Sequence, residues 1–329
     1  MSESNEKLLE VKNLRVDFRV KGGLFTAVKD VNFFIRKGET FGLVGESGSG
    51  KTTIGRAIVR IAQTSAGEIL FRGRKINGKI PKELDAQVVQ KIQMIFQDPM
   101  ASLNERAKVD YIVSEGIINS GKHKSGKYKD EAERMGLVQK ALLEVGLLPE
   151  FASRFPHEFS GGQRQRIGIA RAICLNPKLI VCDEPMSALD VSIQAQIINL
   201  LEDLQDRLGL TYLFIAHNLS VVKHIADRVA VMYLGRIVEL ASTETVFGTS
   251  AHPYTEALLS AVPVADTRVE RTRLILRGDV PSPSNPPPGC HFHTRCPYAI
   301  PMCRETEPKL SDIGGDHLVS CHLRGPRTA

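Results

Sequence analysis

The first part of the chain alternates apolar and polar positions, which is the period of a β-strand. Val, Leu, Ile and Phe alternate with polar residues over 8–18 and 27–35, so we predict two antiparallel strands joined through Gly22 and Gly23. Short apolar runs predict three further strands, at 41–44, 68–71 and 92–96. The chain from about 98 to 174 is predicted to form a mostly helical subdomain.

The later part of the chain alternates strand and helix patterns. Apolar runs predict strands at 179–182, 212–216 and 228–233, and a helical pattern covers 191–208. An alternating β/α order favours a parallel sheet with helices packed on it. We therefore predict an α/β fold whose core ends near Gly248.

The composition changes after residue 251. Prolines become frequent and predict an extended spacer before four clustered cysteines; these prolines are Pro281, Pro283, Pro286, Pro287 and Pro288. At 329 residues and 42% hydrophobic composition, the chain is long enough for one large domain and an appendage. We predict a domain over 1–250 and a small C-terminal module over 251–329.

The charge of the chain does not point to a polyanionic partner. The formal net charge is +6 and the pI is about 9.0, yet no long block of like charge stands out. The basic balance therefore indicates a solvated mixed surface, and we predict no nucleic-acid partner. No run approaches the roughly 20 apolar residues of a membrane-spanning helix. Residues 1–10 are too polar for a signal peptide, so we expect the chain to stay in the cytosol.

A glycine-rich string, GESGSGKT, occupies residues 45–52 between the predicted strand 41–44 and a helical pattern over 54–59. We call residues 45–52 the phosphate loop, because backbone N–H groups of such a loop can cradle a triphosphate. Lys51 is predicted to reach the β- and γ-phosphates, Thr52 to ligate Mg²⁺ and Thr53 to add a hydroxyl contact. The predicted ATP-binding residues of this segment are Gly45, Ser47, Gly48, Gly50, Lys51, Thr52 and Thr53.

Two carboxylates follow the predicted strand 179–182. Asp183 ends an apolar run, where a carboxylate is costly unless it faces a cation, so we predict that it holds Mg²⁺ through water. Glu184 is adjacent, and a carboxylate in this place suits activation of a water that attacks the γ-phosphate. Together with the phosphate loop, this pair predicts an ATPase.

A third motif narrows the family. Residues 159–163 read FSGGQ, and Ser160, Gly161 and Gly162 are predicted to open a helix whose N–H groups form a second anion site. The phosphate loop, FSGGQ and the string LIVCDE at 179–184 together resemble the ATP-binding-cassette (ABC) family. This resemblance implies a P-loop NTPase nucleotide-binding domain with a RecA-like core, an antiparallel β subdomain and an α-helical subdomain.

The resemblance also implies roles for individual residues. Glu184 matches the general base, Gln97 matches a glutamine that senses Mg²⁺ and water, and His217 matches the switch that contacts the γ-phosphate. Phe18 occupies the place of an aromatic ring stacked on adenine, with Phe25 as a rival. In the family, the segment containing Ser160, Gly161, Gly162 and Gln163 contacts the ATP of a partner subunit, and Asp190 lies in the loop that crosses the same interface.

Three longer stretches resemble the ATPases of bacterial oligopeptide and dipeptide importers: 95–104, 252–259 and the proline-rich segment before Gly289. Phe159 and the string VSIQAQ at 191–196 are most similar to the F-type subunit. The resemblance implies a heterodimer with a paralogous D-type ATPase, two transmembrane permease subunits and, indirectly, an extracellular peptide-binding protein. It places the chain at the cytoplasmic face of the membrane and leaves open another cargo, such as a nickel chelate.

Four cysteines crowd the end of the chain: Cys290, Cys296, Cys303 and Cys321. Clustered cytosolic thiols favour a metal site over disulfides, but these spacings do not identify the metal. The importer resemblance implies a [4Fe-4S] cluster. The alternatives are zinc, with His291, His293 or His322 as a substitute ligand, and free thiols.

Two other functional classes fit less well. A soluble ABC protein of DNA repair usually carries long coiled coils between the phosphate loop and FSGGQ, and a translation factor carries two cassettes, whereas this chain has a short interval and one cassette. A module that binds ATP without turnover is disfavoured because Asp183, Glu184 and His217 are all present.

Overall fold

The computed structural model describes residues 6–21, 23–119, 131–187, 189–262, 274, 276 and 278–324. The strands are β1 (Lys7–Val20), β2 (Gly23–Arg36), β3 (Thr40–Val44), β4 (Ala66–Phe71), β5 (Arg74–Lys75), β6 (Ile92–Ile95), β7 (Leu179–Asp183), β8 (Thr211–Ala216), β9 (Arg228–Tyr233), β10 (Arg236–Ser242), β11 (Ser311–Asp312) and β12 (Leu318–Val319).

The α-helices are α1 (Lys51–Ile58), α2 (Lys82–Lys91), α3 (Pro99–Ser102), α4 (Val109–Asn119), α5 (Glu131–Glu144), α6 (Gly161–Ile173), α7 (Val191–Leu208), α8 (Leu219–Ile225), α9 (Thr243–Thr249), α10 (Pro253–Ser260) and α11 (Met302–Glu305). Two short 3-10 turns lie at Pro149–Ser153 and Pro156–Glu158. None of the helices in the described part of the chain combines the length and apolar character needed to cross a bilayer.

The chain forms two compact units. The helix-rich unit contains Arg36–Glu39 and Lys79–Leu213, and the strand-rich unit contains Lys7–Ile35, Thr40–Gly78 and the chain from Phe214 onward. Strand β8 begins in the first unit and ends in the second, so the chain passes between them within a strand whose residues are all buried.

One sheet of the strand-rich unit has the order β2-β1-β4-β5. Strand β1 runs antiparallel to β4, with Leu9 opposite Phe71. Its buried residues alternate with more exposed ones over 9–11 and again over 14–16, and the register shifts between Lys12 and Arg15. The two strands predicted before residue 36 are therefore present and adjacent. Gly22, one of the two glycines predicted to join them, lies outside the described residues.

A second sheet of the strand-rich unit contains β3, β9, β10, β12 and β11 in that order. Strands β3 and β9 are parallel, with Val44 opposite Val231, whereas β10 is antiparallel to both β9 and β12. Strands β12 and β11 lie in the C-terminal segment that carries the four cysteines, residues 290–321. This cysteine-containing segment therefore extends a sheet that also contains β3, the strand before the phosphate loop. The predicted boundary at residue 250 stays a prediction.

The helix-rich unit pairs β6 and β7 in parallel and packs α4, α5 and α6 against one another. Apolar side chains recur on the inner faces of these helices, and the fully buried ones include Val109, Val138, Leu142, Ile167 and Ile169. The stretch predicted to be helical carries α3 to α6 among its described residues, and residues 120–130 of it are outside them.

Candidate ATP-binding site

The phosphate loop joins a buried strand to a helix, as the sequence predicts. All five residues of β3 are buried, and α1 begins at Lys51, directly after Gly50. Gly50 is the N-cap residue, with a φ of 101° and no side-chain hydrogen bond to the helix start. The first N–H groups of α1 therefore face the loop, where the helix dipole favours an anion.

Two glycines of the loop are required by close backbone contacts. Gly45 has a φ of 147°, and a Cβ atom there would lie 2.2 Å from the Met232 carbonyl oxygen. A Cβ on Gly50 would lie 2.6 Å from the Ala27 carbonyl oxygen. Both glycines also occupy the left-handed region that other residues avoid. The backbone of the strand-rich unit thus holds the loop from one side and excludes side chains there.

Lys51 places its ammonium group inside the loop. Its side chain is buried, and Nζ donates hydrogen bonds to the carbonyl oxygens of Gly45 at 2.8 Å and Glu46 at 2.9 Å. Thr52 and Thr53 follow in the first turn of α1 and are half-buried, and Ser47 is exposed at the loop tip. A positive charge, helix N–H groups and hydroxyls therefore converge on one loop, which suits a polyphosphate.

Glu46 has two long-range partners that sequence reasoning missed. Its backbone N–H donates to Tyr254 Oη at 2.9 Å. Its carboxylate accepts hydrogen bonds from Arg295 Nη1 at 2.9 Å and Nη2 at 3.2 Å. Tyr254 is 208 residues away in sequence and Arg295 is 249 residues away, and no local pattern signals either contact.

The strand-rich unit also contains the predicted switch and the two candidate adenine-stacking rings. His217 follows β8 and is exposed, directly before Asn218, which caps α8. Phe18 is 40% exposed, and its ring stacks on Phe25 with centroids 6.4 Å apart. Because the two rings are neighbours, a planar base stacked on one of them would also lie close to the other.

The helix-rich unit brings Gln97 and Glu184 together. Gln97 Nε2 donates a hydrogen bond of 2.9 Å to Glu184 Oε2. The contact follows from topology, because β6 and β7 are parallel, with Ile95 opposite Cys182, and the two residues leave the sheet at the same edge. Asp183 ends β7 and is 2% exposed. Glu184 has a φ of 45°, a left-handed backbone that is uncommon outside glycine.

Helix α6 begins in the FSGGQ segment, as predicted. Ser160 Oγ accepts a hydrogen bond from the Gln163 N–H at 3.3 Å, and Gln163 Oε1 accepts one from the Ser160 N–H at 3.0 Å. This reciprocal pair is a capping box. Ser160 and Gly161 are exposed at the helix tip.

Gly162 has a packing role that the sequence did not reveal. A Cβ atom there would lie 2.7 Å from Ile193 Cγ2, a side chain of α7. Asp190 is the N-cap residue of α7, is exposed and makes no side-chain capping hydrogen bond. The loop before it is held by Gln194, whose Nε2 donates to the carbonyl oxygens of Met186 and Leu189.

Two family models match the chain: "ABC transporter" over residues 28–187, and "Oligopeptide/dipeptide transporter, C-terminal region" over residues 238–303. Oligopeptide transport ATP-binding protein AppF of Bacillus subtilis is 50% identical over 97% of this chain and 98% of its own length. The corresponding AmiF protein of Streptococcus pneumoniae is 60% identical over 82% of this chain and 86% of its own length. The chain belongs to the family of ABC transporter ATP-binding proteins.

Solved structures of other ABC proteins support the same fold. A dimeric ATP-binding cassette, MJ0796, bound to ADP and Pi has a TM-score of 0.63 at 28% identity and covers 71% of this chain and 98% of its own. CbiO1 of Clostridium perfringens has a TM-score of 0.64 at 29% identity and covers 74% and 92% respectively. The predicted ABC nucleotide-binding fold is confirmed, and this chain is an ABC-type ATPase.

The four C-terminal cysteines of this ABC ATPase lie near one another without disulfides. Cys303 is buried and the other three are half-buried. Burial, with smaller contributions from the thiols of Cys303, Cys321 and Cys296, raises the pKa of Cys290 to about 11. The described residues nevertheless contain no group of three or more His, Cys, Asp or Glu side chains that could hold a metal ion. The predicted cluster is therefore not supported by the geometry of these side chains.

The histidines considered as substitute zinc ligands make other contacts. A ring nitrogen of each is within hydrogen-bond distance of a backbone carbonyl oxygen: His291 with Leu234 at 3.3 Å, His293 with Cys290 at 2.8 Å and His322 with Thr306 at 2.8 Å. Each contact uses one ring nitrogen only, but the described residues contain no group of three or more His, Cys, Asp or Glu side chains that could hold a metal ion, so the zinc alternative is not supported either.

Proposed function

We propose that this chain is the ATP-hydrolysing subunit of a membrane importer for oligopeptides or dipeptides. The observation that carries the cargo class is identity of 50% across 97% of the chain with an oligopeptide transport ATP-binding protein. The match of residues 238–303 to the C-terminal region of oligopeptide and dipeptide transporters supports the same cargo. The chain acts at the cytoplasmic face of the membrane, where ATP is available.

ATP binds at the phosphate loop. Lys51 neutralises the β- and γ-phosphates, and the N–H groups of Gly48, Gly50 and the start of α1 donate to their oxygens. The buried position of Lys51 among the loop carbonyl oxygens supports this role, because it places the charge at the helix start. Phe18, with Phe25 beside it, stacks on the adenine.

Hydrolysis needs one oriented water and a base. The oxygen of the water attacks the γ-phosphorus in line, while Glu184 accepts a proton from that water. The bond between the γ-phosphorus and the bridging oxygen of ADP breaks. Gln97 orients the Glu184 carboxylate through their hydrogen bond, and His217 contacts the γ-phosphate. Thr52, Asp183 and Gln97 would hold Mg²⁺, which when bound neutralises charge on the β- and γ-phosphates. The near-complete burial of Asp183 at a strand end suits a carboxylate that serves a cation.

A second subunit completes each site. We propose that Ser160, Gly161, Gly162 and Gln163 present the tip of α6 to the γ-phosphate held by a partner, and that Asp190 lies at the same interface. The exposure of Ser160 and Gly161 and the orientation of the α6 dipole support this arrangement. The partner is a D-type paralogue, and this chain is the F-type subunit, in keeping with the names of its relatives.

Transport follows from closure of the ATPase pair. ATP binding draws the two subunits together, and residues 97–104 transmit the movement to two transmembrane permease subunits. The pathway then opens outward to an extracellular peptide-binding protein, and hydrolysis resets it. The cycle is a population shift driven by the different affinities of the closed and open pairs for ATP.

We also retain a [4Fe-4S] cluster as a proposal for Cys290, Cys296, Cys303 and Cys321. Its support is the occurrence of four free cysteines within residues 290–321, one of them buried and three half-buried. Protein purified without oxygen is expected to contain about four iron and four sulfide per chain and to absorb visible light. Colourless protein with one zinc per chain would refute the cluster.

Reconstituted transport tests the proposed function. The complete complex, formed with its permeases and partner ATPase in proteoliposomes, is expected to accumulate labelled peptide only with ATP and the binding protein. Lys51→Ala is expected to abolish accumulation while leaving the complex assembled. Accumulation of a nickel chelate without peptide would reassign the cargo, and ATP turnover that no solute stimulates would favour a non-transport ABC ATPase.

A further inference from the structure

The phosphate loop is tied to the cysteine-containing segment through Glu46. We propose that Arg295 is a positioning residue for ATP binding: it orients the Glu46 carboxylate and neutralises its charge beside the bound triphosphate. The inference rests on the proposed function of residues 45–52 as the phosphate loop. It assigns to the C-terminal segment a direct influence on ATP affinity.

The contact between Arg295 and Glu46 is a bidentate, partly buried ion pair. Two nitrogens of one guanidinium reach the two oxygens of one carboxylate, at 2.9 and 3.2 Å. The Arg295 side chain is 9% exposed and that of Glu46 is 28% exposed, so water screens the pair only partly. A bidentate, shielded pair fixes orientation as well as charge.

An aromatic cluster holds Arg295 in place. Phe292 lies three residues earlier, is 1% exposed and packs against Tyr233 and Tyr254, each with its ring centroid 5.3 Å away. The Arg295 N–H donates to the Phe292 carbonyl oxygen at 3.0 Å. Tyr254 belongs to the same cluster and accepts the Glu46 N–H. Both contacts to Glu46 therefore come from residues anchored by this aromatic cluster: Tyr254 is a member of it, and Arg295 is hydrogen-bonded to the backbone of Phe292.

Glu46 is held at each of its polar groups. Tyr254 accepts its N–H, Arg295 binds its carboxylate, and Lys51 donates to its carbonyl oxygen. The conformation of Glu46 is thus coupled to the position of the Lys51 ammonium.

The carboxylate also matters as a charge. Glu46 carries a carboxylate in the loop proposed to bind a triphosphate, and like charges repel. Arg295 cancels that repulsion, so its loss should weaken ATP binding more than it slows the chemical step.

The test is the ATP dependence of hydrolysis by the assembled complex. Arg295→Met is expected to raise the KM for ATP about tenfold or more, with kcat changed by less than about twofold. Adding Glu46→Gln to Arg295→Met is expected to recover most of the lost affinity, because the uncompensated negative charge is gone. Arg324→Met is the matched control: it breaks the exposed 3.6 Å ion pair of the same segment with Glu256 and should leave KM unchanged.

The outcomes distinguish failure of the Arg295 proposal from failure of the phosphate-loop assignment. An unchanged KM in Arg295→Met, or a raised KM that Glu46→Gln does not relieve, would overturn it. If Arg295→Met does not assemble, Arg295→Lys keeps the charge without the fork and should raise KM by a smaller factor; an unchanged KM in this variant would likewise overturn the inference. Lys51→Ala, measured in parallel, must lose ATP binding; if it does not, the phosphate-loop assignment itself fails.

Discussion

Gln97 Nε2 lies 2.9 Å from Glu184 Oε2, which joins the residues that leave two adjacent parallel strands of the helix-rich unit. The hydrogen bond contacts one oxygen of the Glu184 carboxylate. Gln97 follows β6, so a movement of that strand would change the position of the Glu184 carboxylate, which is the proposed base. Turnover should therefore depend on Gln97 even though it forms no bond in the reaction.

Replacement of Gln97 tests this relationship. Gln97→Ala should lower kcat about 10- to 100-fold, the loss expected for a hydrogen bond to a charged group. Gln97→Glu should be more damaging, because two carboxylates would face each other at the same distance. Gln93→Ala is the control, since its amide bonds the Val89 carbonyl in the same strand region and should leave kcat unchanged.

Two substitutions of Ser160, in the capping box at the start of α6, allow its effect on stability to be measured separately from its effect on turnover. Ser160→Ala removes the cap of the Gln163 N–H and should lower the free energy of unfolding by about 1 kcal/mol. Ser160→Asp keeps a capping acceptor and suits the helix dipole, so the thermal midpoint should be preserved. It adds a negative charge where the partner's γ-phosphate is proposed to lie, and turnover should fall at least about tenfold. Normal turnover in Ser160→Asp would contradict the proposal that the tip of α6 contacts the partner's γ-phosphate.

Alanine substitutions of two glycines in the phosphate loop test the predicted close contact at Gly45, with Gly48 as the control. Gly45 and Gly48 both have positive φ angles, of 147° and 78°, but only the Cβ of Gly45 would meet a neighbour. Gly48→Ala should cost about 1–2 kcal/mol of stability through backbone strain alone. Gly45→Ala should cost at least about 3 kcal/mol, because the Met232 carbonyl oxygen must also move. Equal melting temperatures of the two variants would show that this contact is absent.

His252 should make the protein sensitive to acid. Burial lowers its pKa from 6.5 to about 3, and its neutral Nδ1 accepts the Tyr254 N–H at 3.1 Å. Below pH 6.5 the unfolded chain binds a proton that the folded chain refuses, so the free energy of unfolding falls as the pH falls toward 3. Between pH 7 and pH 5 this group should cost about 2 kcal/mol.

The pH dependence is checked by chemical denaturation of wild type and His252→Asn across that range. Asparagine keeps a capping acceptor at the start of α10 and does not titrate. The variant should therefore show a flatter dependence below pH 6.5 and the same one above it. Parallel curves for the two proteins would mean that His252 is protonated in the folded state.

The sequence was most informative where the structure is local. The phosphate loop and the start of α6 depend on residues within a few positions of one another, so glycine spacing and capping chemistry predict both. The antiparallel strands and the β/α order likewise follow from periodicity. Gln97 and Glu184 were each identified by resemblance, and the parallel pairing of β6 and β7 explains why they meet.

The remaining features depend on tertiary contacts that no local pattern encodes. Glu46 meets Arg295 only because β12 of the C-terminal segment pairs with β10 and Phe292 enters an aromatic cluster. Gly162 was interpreted as an anion-binding glycine, yet its contact with Ile193 gives it a packing role as well. The clustering of four cysteines predicts a metal site, but closeness in sequence does not determine whether four thiols converge as ligands, and the described residues contain no such group.

Turnover of the assembled complex with Glu184→Gln tests the central claim, that this chain hydrolyses ATP with Glu184 as base, most directly. Glutamine is the same size but cannot accept the proton, so phosphate release should fall at least about 100-fold while labelled ATP stays bound. The variant should also accumulate as a stable ATP-bound pair with its partner ATPase. Phosphate release at the wild-type rate would contradict the assignment of Glu184 and the mechanism built on it.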